Sequence, residues 1–321
     1  MYNSVDSNQV SALFCNDHLA AWRSSESLER IRLSDQNIDA LAKAAIRSTD
    51  SNFQDIPLSD LSACADIVTQ IKRSLFEGSG VAVVSRFPVE SFERSVSRRA
   101  SGILSNLIAP LMAQDIKGTL LYDVIDEGTQ ASNTTRRSKT NVEQPFHTDG
   151  PWFAVPPNVI ALFCLQPATT GGFSQVSSLQ QTLCSLIEQN KDRFGELMST
   201  PVPWNRMGQF TSTESSYSEL PLIESTTTGT LVRHYADYIR TGYELADDTI
   251  KDQLADLLTQ IDAMLGENAF KPFRLESGEF QFVNNWTVAH ARAKFTDDET
   301  SDESPSGRHL VRLWNKPAQM Q

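Results

Sequence analysis

Gln144-Pro145-Phe146-His147-Thr148-Asp149-Gly150 is the stretch on which the reading of this chain turns. Residues two apart on an extended strand point to one face, so the imidazole of His147 and the carboxylate of Asp149 are presented together. Two ligands on one face of a rigid strand make half of a metal site. The tripeptide alone carries little weight. Five histidines and 40 acidic residues in 321 positions produce such a pair about 0.6 times by chance. Its companions have to decide.

The chain is long enough for two average domains, though β barrels and sandwiches of 321 residues often stay single. Its 40% hydrophobic content supplies a sizeable core. With 28 basic against 40 acidic residues the net charge is −12, which argues against nucleic acid or an anionic membrane as partner. Cys15, Cys64, Cys164 and Cys184 are scattered with no CxxC pair, so they read as free thiols in a reducing cytoplasm. Met1 to Val10 is polar and lacks the pattern of a signal peptide, and no apolar run approaches a membrane span. A cytoplasmic location is expected.

Residues 1–60 read as a helical arm and 61–321 as the main body of a single structural domain. Ser34-Asp35 caps a helix through Asn37–Arg47, and helical spacing predicts further helices over Leu61–Phe76 and roughly 91–113. Strands are predicted at Val81–Val84, Leu121–Ile125, Asn158–Leu165, Ser174–Ser177, Leu231–Ile239, Glu279–Val283, Thr287–Phe295 and Arg308–Trp314. Helices are expected at Leu179–Gln189 and from a cap at Asp247-Asp248 through Leu265. Two polar stretches, 126–143 with Arg136, Arg137 and Lys139, and the Ser/Thr-rich 211–228, are expected to be loops that fold over a bound substrate. The pattern is a β core decorated by helices.

The companions of the opening motif are His290, far downstream, and Arg308 beyond it. Two imidazoles and one carboxylate form a three-ligand set that leaves adjoining positions open on a ferrous ion. A chelating keto acid and dioxygen need those openings. Arg308 supplies a bidentate cation for the far carboxylate of a dicarboxylate cosubstrate, and Ser174 adds a hydroxyl.

Phe146-His147-Thr148-Asp149, Gly171-Gly172-Phe173-Ser174, Phe282-Val283-Asn284-Asn285 leading to His290-Ala291-Arg292, and Arg308-His309-Leu310-Val311-Arg312-Leu313-Trp314 occur in that order. Together they resemble the taurine dioxygenase and 2,4-D dioxygenase (TauD/TfdA) family of Fe(II)/2-oxoglutarate enzymes, close to its clavaminate-synthase-like branch. The resemblance implies a mainly β fold with flanking α, built on a double-stranded β-helix (jelly-roll) core. It implies that His147, Asp149 and His290 hold Fe(II), and that Arg308 binds the distal carboxylate of 2-oxoglutarate with Ser174 beside it. Arg312 then supports the cosubstrate or meets an anionic group of the substrate. One departure stands out: the acidic loop from Asp297 to Glu303 lengthens the spacing from His290 to Arg308. An outward bulge preserves the strand register; otherwise Arg312 takes the role of Arg308. Halogenating relatives replace the metal-binding acid by a small residue, so Asp149 disfavours halogenation. Hydroxylation of a small-molecule substrate with O2, releasing succinate and CO2, is the default. Desaturation, epoxidation and cyclisation use the same metal chemistry.

Tyr122, Asn141, Gln144, Trp152, Phe153 and Arg206 are the residues named for substrate contact. Blander accounts stand beside these: a lone histidine is more often a hydrogen-bonded core residue than a ligand. On that ground His309 reads as structural, His234 as a satisfied core or pocket residue and His18 as surface. Two rival functions fit part of the pattern. A zinc hydrolase uses the same three ligands but leaves Arg308 unexplained, and a non-catalytic jelly-roll binding protein leaves the intact set unexplained. The fold is compatible with a homodimer.

Overall fold

The computed structural model describes residues 28, 30–129, 136–189, 198, 200–209, 211–226, 229–297 and 307–317. Expectations placed on Met1 to Val10, Cys15, His18 and the acidic loop from 298 to 303 lie outside these residues.

In chain order the strands are β1 (Arg30–Arg32), β2 (Val81–Ser85), β3 (Leu111–Met112), β4 (Tyr122–Val124), β5 (Gln144–His147), β6 (Val159–Gln166), β7 (Thr170–Gly171), β8 (Ser174–Ser178), β9 (Val202–Asn205), β10 (Tyr217–Leu220), β11 (Ile223–Thr226), β12 (Gly229–Val232), β13 (Phe280–Asn284), β14 (Val288–Arg292), β15 (Phe295–Thr296) and β16 (His309–Asn315). The helices are α1 (Asp35–Arg47), α2 (Ala65–Phe76), α3 (Arg94–Ile108), α4 (Leu179–Gln189), α5 (Ala236–Leu245) and α6 (Asp252–Glu267).

A seven-stranded sheet runs β1-β2-β13-β6-β16-β3, with β4 also paired to β16. A three-stranded sheet runs β5-β14-β8. The strands of the large sheet are apolar on both faces because both are covered. Phe280 and Phe282 of β13, Ala161 and Phe163 of β6, and Val311 and Leu313 of β16 face one side and pack with Leu41, Ile71 and Leu104 of α1–α3. Their neighbours Val283, Ile160 and Trp314 face the other side and join Val176 and Val288 of the small sheet and Leu258 of α6. The two sheets thus face one another as a jelly roll, with α1–α3 on its outer surface.

Local chemistry explains where elements stop. Ser34 and Asn37 close a capping box: the Asn37 amide N–H donates to Ser34 Oγ at 3.2 Å and the Ser34 N–H to Asn37 Oδ1 at 2.8 Å. The helix expected over 91–113 ends at Ile108, since Pro110 forces Ala109 to extended backbone (φ −160) and the next residues pair with β16. The helix expected over Leu61–Phe76 begins as a 3-10 segment, Leu58–Cys64, before α2.

Three expectations need correction. The stretch 211–228 is not one loop: β10 pairs with β9, and β11 with β12, because its threonines and tyrosine suit a ladder as well as a loop. The strand expected over Leu231–Ile239 ends at Val232, and α5 buries Ala236 and Ile239 at helical spacing. Asp247-Asp248 stops α5 rather than starting α6. Asp247 is left-handed (φ 51), its N–H donates to Glu244 O at 3.3 Å, and the Asp248 N–H donates to Tyr243 O at 3.1 Å. That is a Schellman ending with aspartate in the position glycine usually takes.

Cys64, Cys164 and Cys184 are buried thiols in no disulfide. Among the described residues no helix is long and apolar enough to cross a membrane.

His309, on the outer face of β16, ties elements together as a structural histidine: its Nε2 lies 2.7 Å from Asp123 Oδ1 and its Nδ1 3.0 Å from Arg94 Nη1. Arg98 Nη2 adds an ion pair to Asp123 at 2.9 Å. Burial pushes the Asp123 carboxyl up, but His309 and Arg98 outweigh it and hold the carboxyl below its ordinary value. A depressed carboxyl stabilises the fold above its unfolded pKa of about 4, and loses that contribution as the pH falls through the folded value. Asp123→Asn is therefore expected to lower the melting temperature at neutral pH, with the gap to the parent closing as the pH falls below the ordinary carboxylate range. Thermal melts across pH read this directly.

Candidate metal centre

The three predicted metal ligands meet. β5 and β14 are antiparallel neighbours, and His147 stands directly opposite His290. Opposed residues share a face and lie within side-chain reach, and the two rings are 4.2 Å apart between centroids. Asp149 follows in the turn after β5. One ligand atom from each of His147, Asp149 and His290 lies within 4.8 Å of the others, and all three residues are buried.

Each is fixed by a different part of the fold. His147 Nδ1 lies 2.9 Å from Pro145 O and donates to it, which leaves Nε2 as an acceptor. That Nε2 receives the Gln144 amide at 2.9 Å and lies 3.4 Å from Asp149 Oδ1. Asn285 clamps the backbone of Asp149: its Oδ1 accepts the Asp149 N–H at 2.8 Å, and its Nδ2 donates to Asp149 O at 3.0 Å and Pro157 O at 2.9 Å. Oδ2 of Asp149 accepts from Trp314 Nε1 at 2.8 Å and pairs with Arg312 Nη1 at 3.3 Å, leaving Oδ1 on the histidine side.

Burial pushes the Asp149 carboxyl up, yet Arg312, His147 and His290 outweigh it and hold it far below the ordinary carboxylate range. Burial, with His147 alongside, pushes His290 down to about 3 despite Asp149. Its Nδ1 has no hydrogen-bond partner. An ionised carboxylate and neutral imidazoles are what a divalent cation takes from its ligands, so the donor set fits a metal.

β16 builds the adjoining wall. Arg308, immediately before it, and its alternate residues Leu310, Arg312 and Trp314 face inward, and the first three line one cavity with the metal-ligand set and Ser174. Arg308 is buried, and its Nη1 has no partner. Burial pushes its guanidinium down to about 10. The nearby carboxylate of Asp297 accepts the Arg308 backbone N–H, at 2.8 Å. This bond joins the two ends of the long spacing between His290 and Arg308. Asp297 directly follows β15 and is tied to Arg308, which directly precedes β16, and from Leu310 to Asn315 that strand pairs with β6 in continuous register. Gly171 makes the close approach possible: at φ +74, a Cβ there would lie 2.3 Å from Lys294 O.

With this geometry in view, comparison with known proteins is decisive. The Taurine catabolism dioxygenase TauD, TfdA family pattern matches residues 41–314. The chain belongs to that family. It is thereby an oxidoreductase of the non-heme iron dioxygenase type. FR-33289 synthase of Streptomyces rubellomurinus is 26% identical over 267 residues, covering 79% of this chain and 74% of that protein. Human gamma-butyrobetaine dioxygenase is 27% identical over 177 residues, covering 54% of this chain but 44% of its own length. Among solved structures, asparagine oxygenase in complex with Fe(II), 2S,3S-3-hydroxyasparagine and succinate superposes with a TM-score of 0.64 at 15% identity, over 89% of this chain and 93% of that one. The non-heme iron oxygenase OrfP, in complex with Fe and alpha-ketoglutaric acid, gives 0.64 at 13% identity, over 91% and 95%. At such identities the superpositions establish the shared fold.

A second chamber of the TauD-family site lies beyond Asp149. Of the residues named for substrate contact, Gln144 and Trp152 line it. Tyr122 lies beneath the Arg312 guanidinium at 4.9 Å, and Phe153 packs on Trp152 and Trp314. Asn141 offers its carbonyl to the Phe295 N–H, and Arg206 is tied to Glu214 and Ser215 in its own turn; neither lines the chamber. Arg136, Arg137 and Ser138 of the first polar stretch reach it, whereas no described residue of 211–226 does, because hairpin pairing holds those residues elsewhere.

The sequence reading missed four participants. Arg292 lines the metal cavity, donates to Val142 O and lies over Phe295, 4.9 Å from its centroid; its place two residues after His290 on one strand was the available signal. Tyr235 and Tyr238 stack at 3.9 Å, with Tyr235 against the His147 ring at 4.8 Å. Asn285 was noticed only as part of a motif. Asn285→Ala strips two buried backbone groups of Asp149 of their partners, which is expected to cost about 2–4 kcal/mol of stability. Urea denaturation measures the loss, and weaker metal binding in the folded variant is expected alongside it.

Proposed function

We propose that the chain catalyses Fe(II)- and 2-oxoglutarate-dependent oxidation of a small molecule, by default a hydroxylation, with release of succinate and CO2. The observation that carries this reading is Arg308, a buried guanidinium with an unpartnered Nη1 in the same cavity as the metal-ligand set. Iron held there supplies the oxidation, coupling decarboxylation of 2-oxoglutarate by dioxygen to insertion of one oxygen atom into a substrate C–H bond.

The residues of the chain have separate tasks. His147, Asp149 and His290 would hold the metal, a three-residue donor set suited to ferrous iron. Arg308 receives the distal carboxylate of 2-oxoglutarate as a two-pronged cation, and Ser174, buried in the same wall, donates its hydroxyl. Arg312 is committed elsewhere: it pairs with Asp149 Oδ2 and donates from Nε to Gln114 Oε1 at 2.9 Å. It therefore supports the metal ligand, which favours Arg308 as the clamp. The aromatic walls exclude water from the reacting centre. A zinc hydrolase has no use for the unpaired cation.

Anaerobic titration with Fe(II) and 2-oxoglutarate is expected to produce the visible metal-to-keto-acid charge-transfer band. Arg308→Gln should weaken 2-oxoglutarate binding about 10- to 100-fold, while Asp149→Ala, which removes one of three ligands, should raise the Fe(II) concentration needed to develop the band. Independent binding of the two ligands without a band, or an Arg308→Gln variant that binds as the parent does, contradicts the reading.

A further inference from the structure

We infer that Trp314 is a positioning residue of the metal centre: its indole N–H holds Oδ2 of Asp149, so that the carboxylate offers a metal Oδ1 alone. This rests on the oxygenase reading above and adds to it a residue that keeps a coordination position free. Trp314 Nε1 donates to Oδ2 at 2.8 Å, and Arg312 Nη1 lies 3.3 Å from the same oxygen. A carboxylate oxygen accepts through two lone pairs, so these two donors use both. Oδ1 is turned to the other ligands, 3.4 Å from His147 Nε2. A carboxylate binds a metal through one oxygen or through both. The second oxygen would take a position that a chelating keto acid or dioxygen needs.

Of the two donors, Trp314 is the one devoted to this oxygen. Arg312 is shared: its Nε donates to Gln114 Oε1 at 2.9 Å, and its guanidinium lies 4.9 Å from the centroids of both the Tyr122 and Trp314 rings. The indole has a single N–H and gives it to Asp149. Its direction is fixed from the backbone outwards. Trp314 is buried and pairs with Ile160 of β6 on one side and Met112 of β3 on the other. Its ring stands edge-on to Phe153 at 6.0 Å and lies 6.5 Å from Trp152. Asn285 holds the N–H and carbonyl of Asp149, so only the carboxylate group is left to turn. Packing has no use for an N–H, since an apolar ring fills such a space as well. The hydrogen bond to a metal ligand is what calls for an indole here.

Infrared difference spectra, Zn(II)-loaded minus metal-free, on protein carrying isotope-labelled aspartate report how the carboxylate binds. Its two stretching bands lie far apart when one oxygen binds and close together when both do. The parent is expected to show the wide separation and Trp314→Phe the narrow one. In anaerobic titrations Trp314→Phe should bind Fe(II) at least as tightly as the parent, whereas loss of a partner that only orients a ligand costs about 10- to 100-fold in metal affinity. Its affinity for 2-oxoglutarate, read from the charge-transfer band, should fall about tenfold. Replacement of Trp314 by benzothienylalanine keeps the shape of the indole without its N–H. It should behave as Trp314→Phe does, and it decides the matter if the phenylalanine variant does not fold. A narrow separation in the parent, a wide one in the benzothienylalanine protein, or Fe(II) and 2-oxoglutarate affinities that fall together, overturns the inference. A parent without the charge-transfer band fails the oxygenase reading instead, and the infrared comparison still decides the role of Trp314.

Discussion

A buried carboxylate is the constraint around which this molecule is arranged. Asp149 has almost no contact with water, so its charge has to be met by the protein. It is met from three directions. β16 sends Arg312 and Trp314 to Oδ2, the turn between β13 and β14 sends Asn285 to the backbone, and β5 sets His147 beside Oδ1. None of these elements is near another in sequence. Folding is what makes the carboxylate tolerable, and the carboxylate in turn fixes how β5, β14 and β16 meet.

The same strand that neutralises Asp149 also lines the adjoining cavity. Period-two alternation along β16 puts Arg308 on the face of Arg312 and Trp314, while His309 on the other face ties the strand to Asp123. Two neighbouring chambers follow. In one, Arg308 stands with an unpartnered nitrogen next to the metal-ligand set. In the other, two of three arginines already have acids, and the third belongs to a segment carried over the cavity by a short 3-10 turn. Arg292 and Arg308 both lie over Phe295, which packs two cations on one ring in the wall nearest β8. Burial, with Arg308 as a neighbour, pushes Arg292 down to about 9.

Much of this was legible in the sequence, for definite reasons. The His-x-Asp spacing brought His147 and Asp149 together as expected, although Asp149 lies in the turn after β5 rather than on the strand, and Arg308 and Arg312 reach one cavity through the alternation of β16. His290 was legible as a ligand only through its motif, because sequence spacing does not say which strand lies opposite β5. Other features were hidden by tertiary choices. Tyr235 sits where a strand pattern passes into a helix, so its place beside His147 was lost in a strand read too long. The Ser/Thr stretch before β12 has loop composition, yet its pairing partners turn it into two hairpins. Asp247-Asp248 suits a helix start as well as a helix stop, and only the left-handed backbone at Asp247 decides between them. The clamp on Asp149 by Asn285 joins residues 136 apart, beyond any local signal.

The central claim is that one buried set of ligands holds iron while Arg308 holds the cosubstrate. Crystals grown anaerobically with Fe(II) and 2-oxoglutarate, with diffraction recorded at the iron absorption edge, test it most directly. The account predicts a single anomalous peak bonded to His147, Asp149 and His290, with the distal carboxylate of 2-oxoglutarate paired to Arg308. A peak elsewhere, or that carboxylate on Arg312 or Arg136, would contradict it.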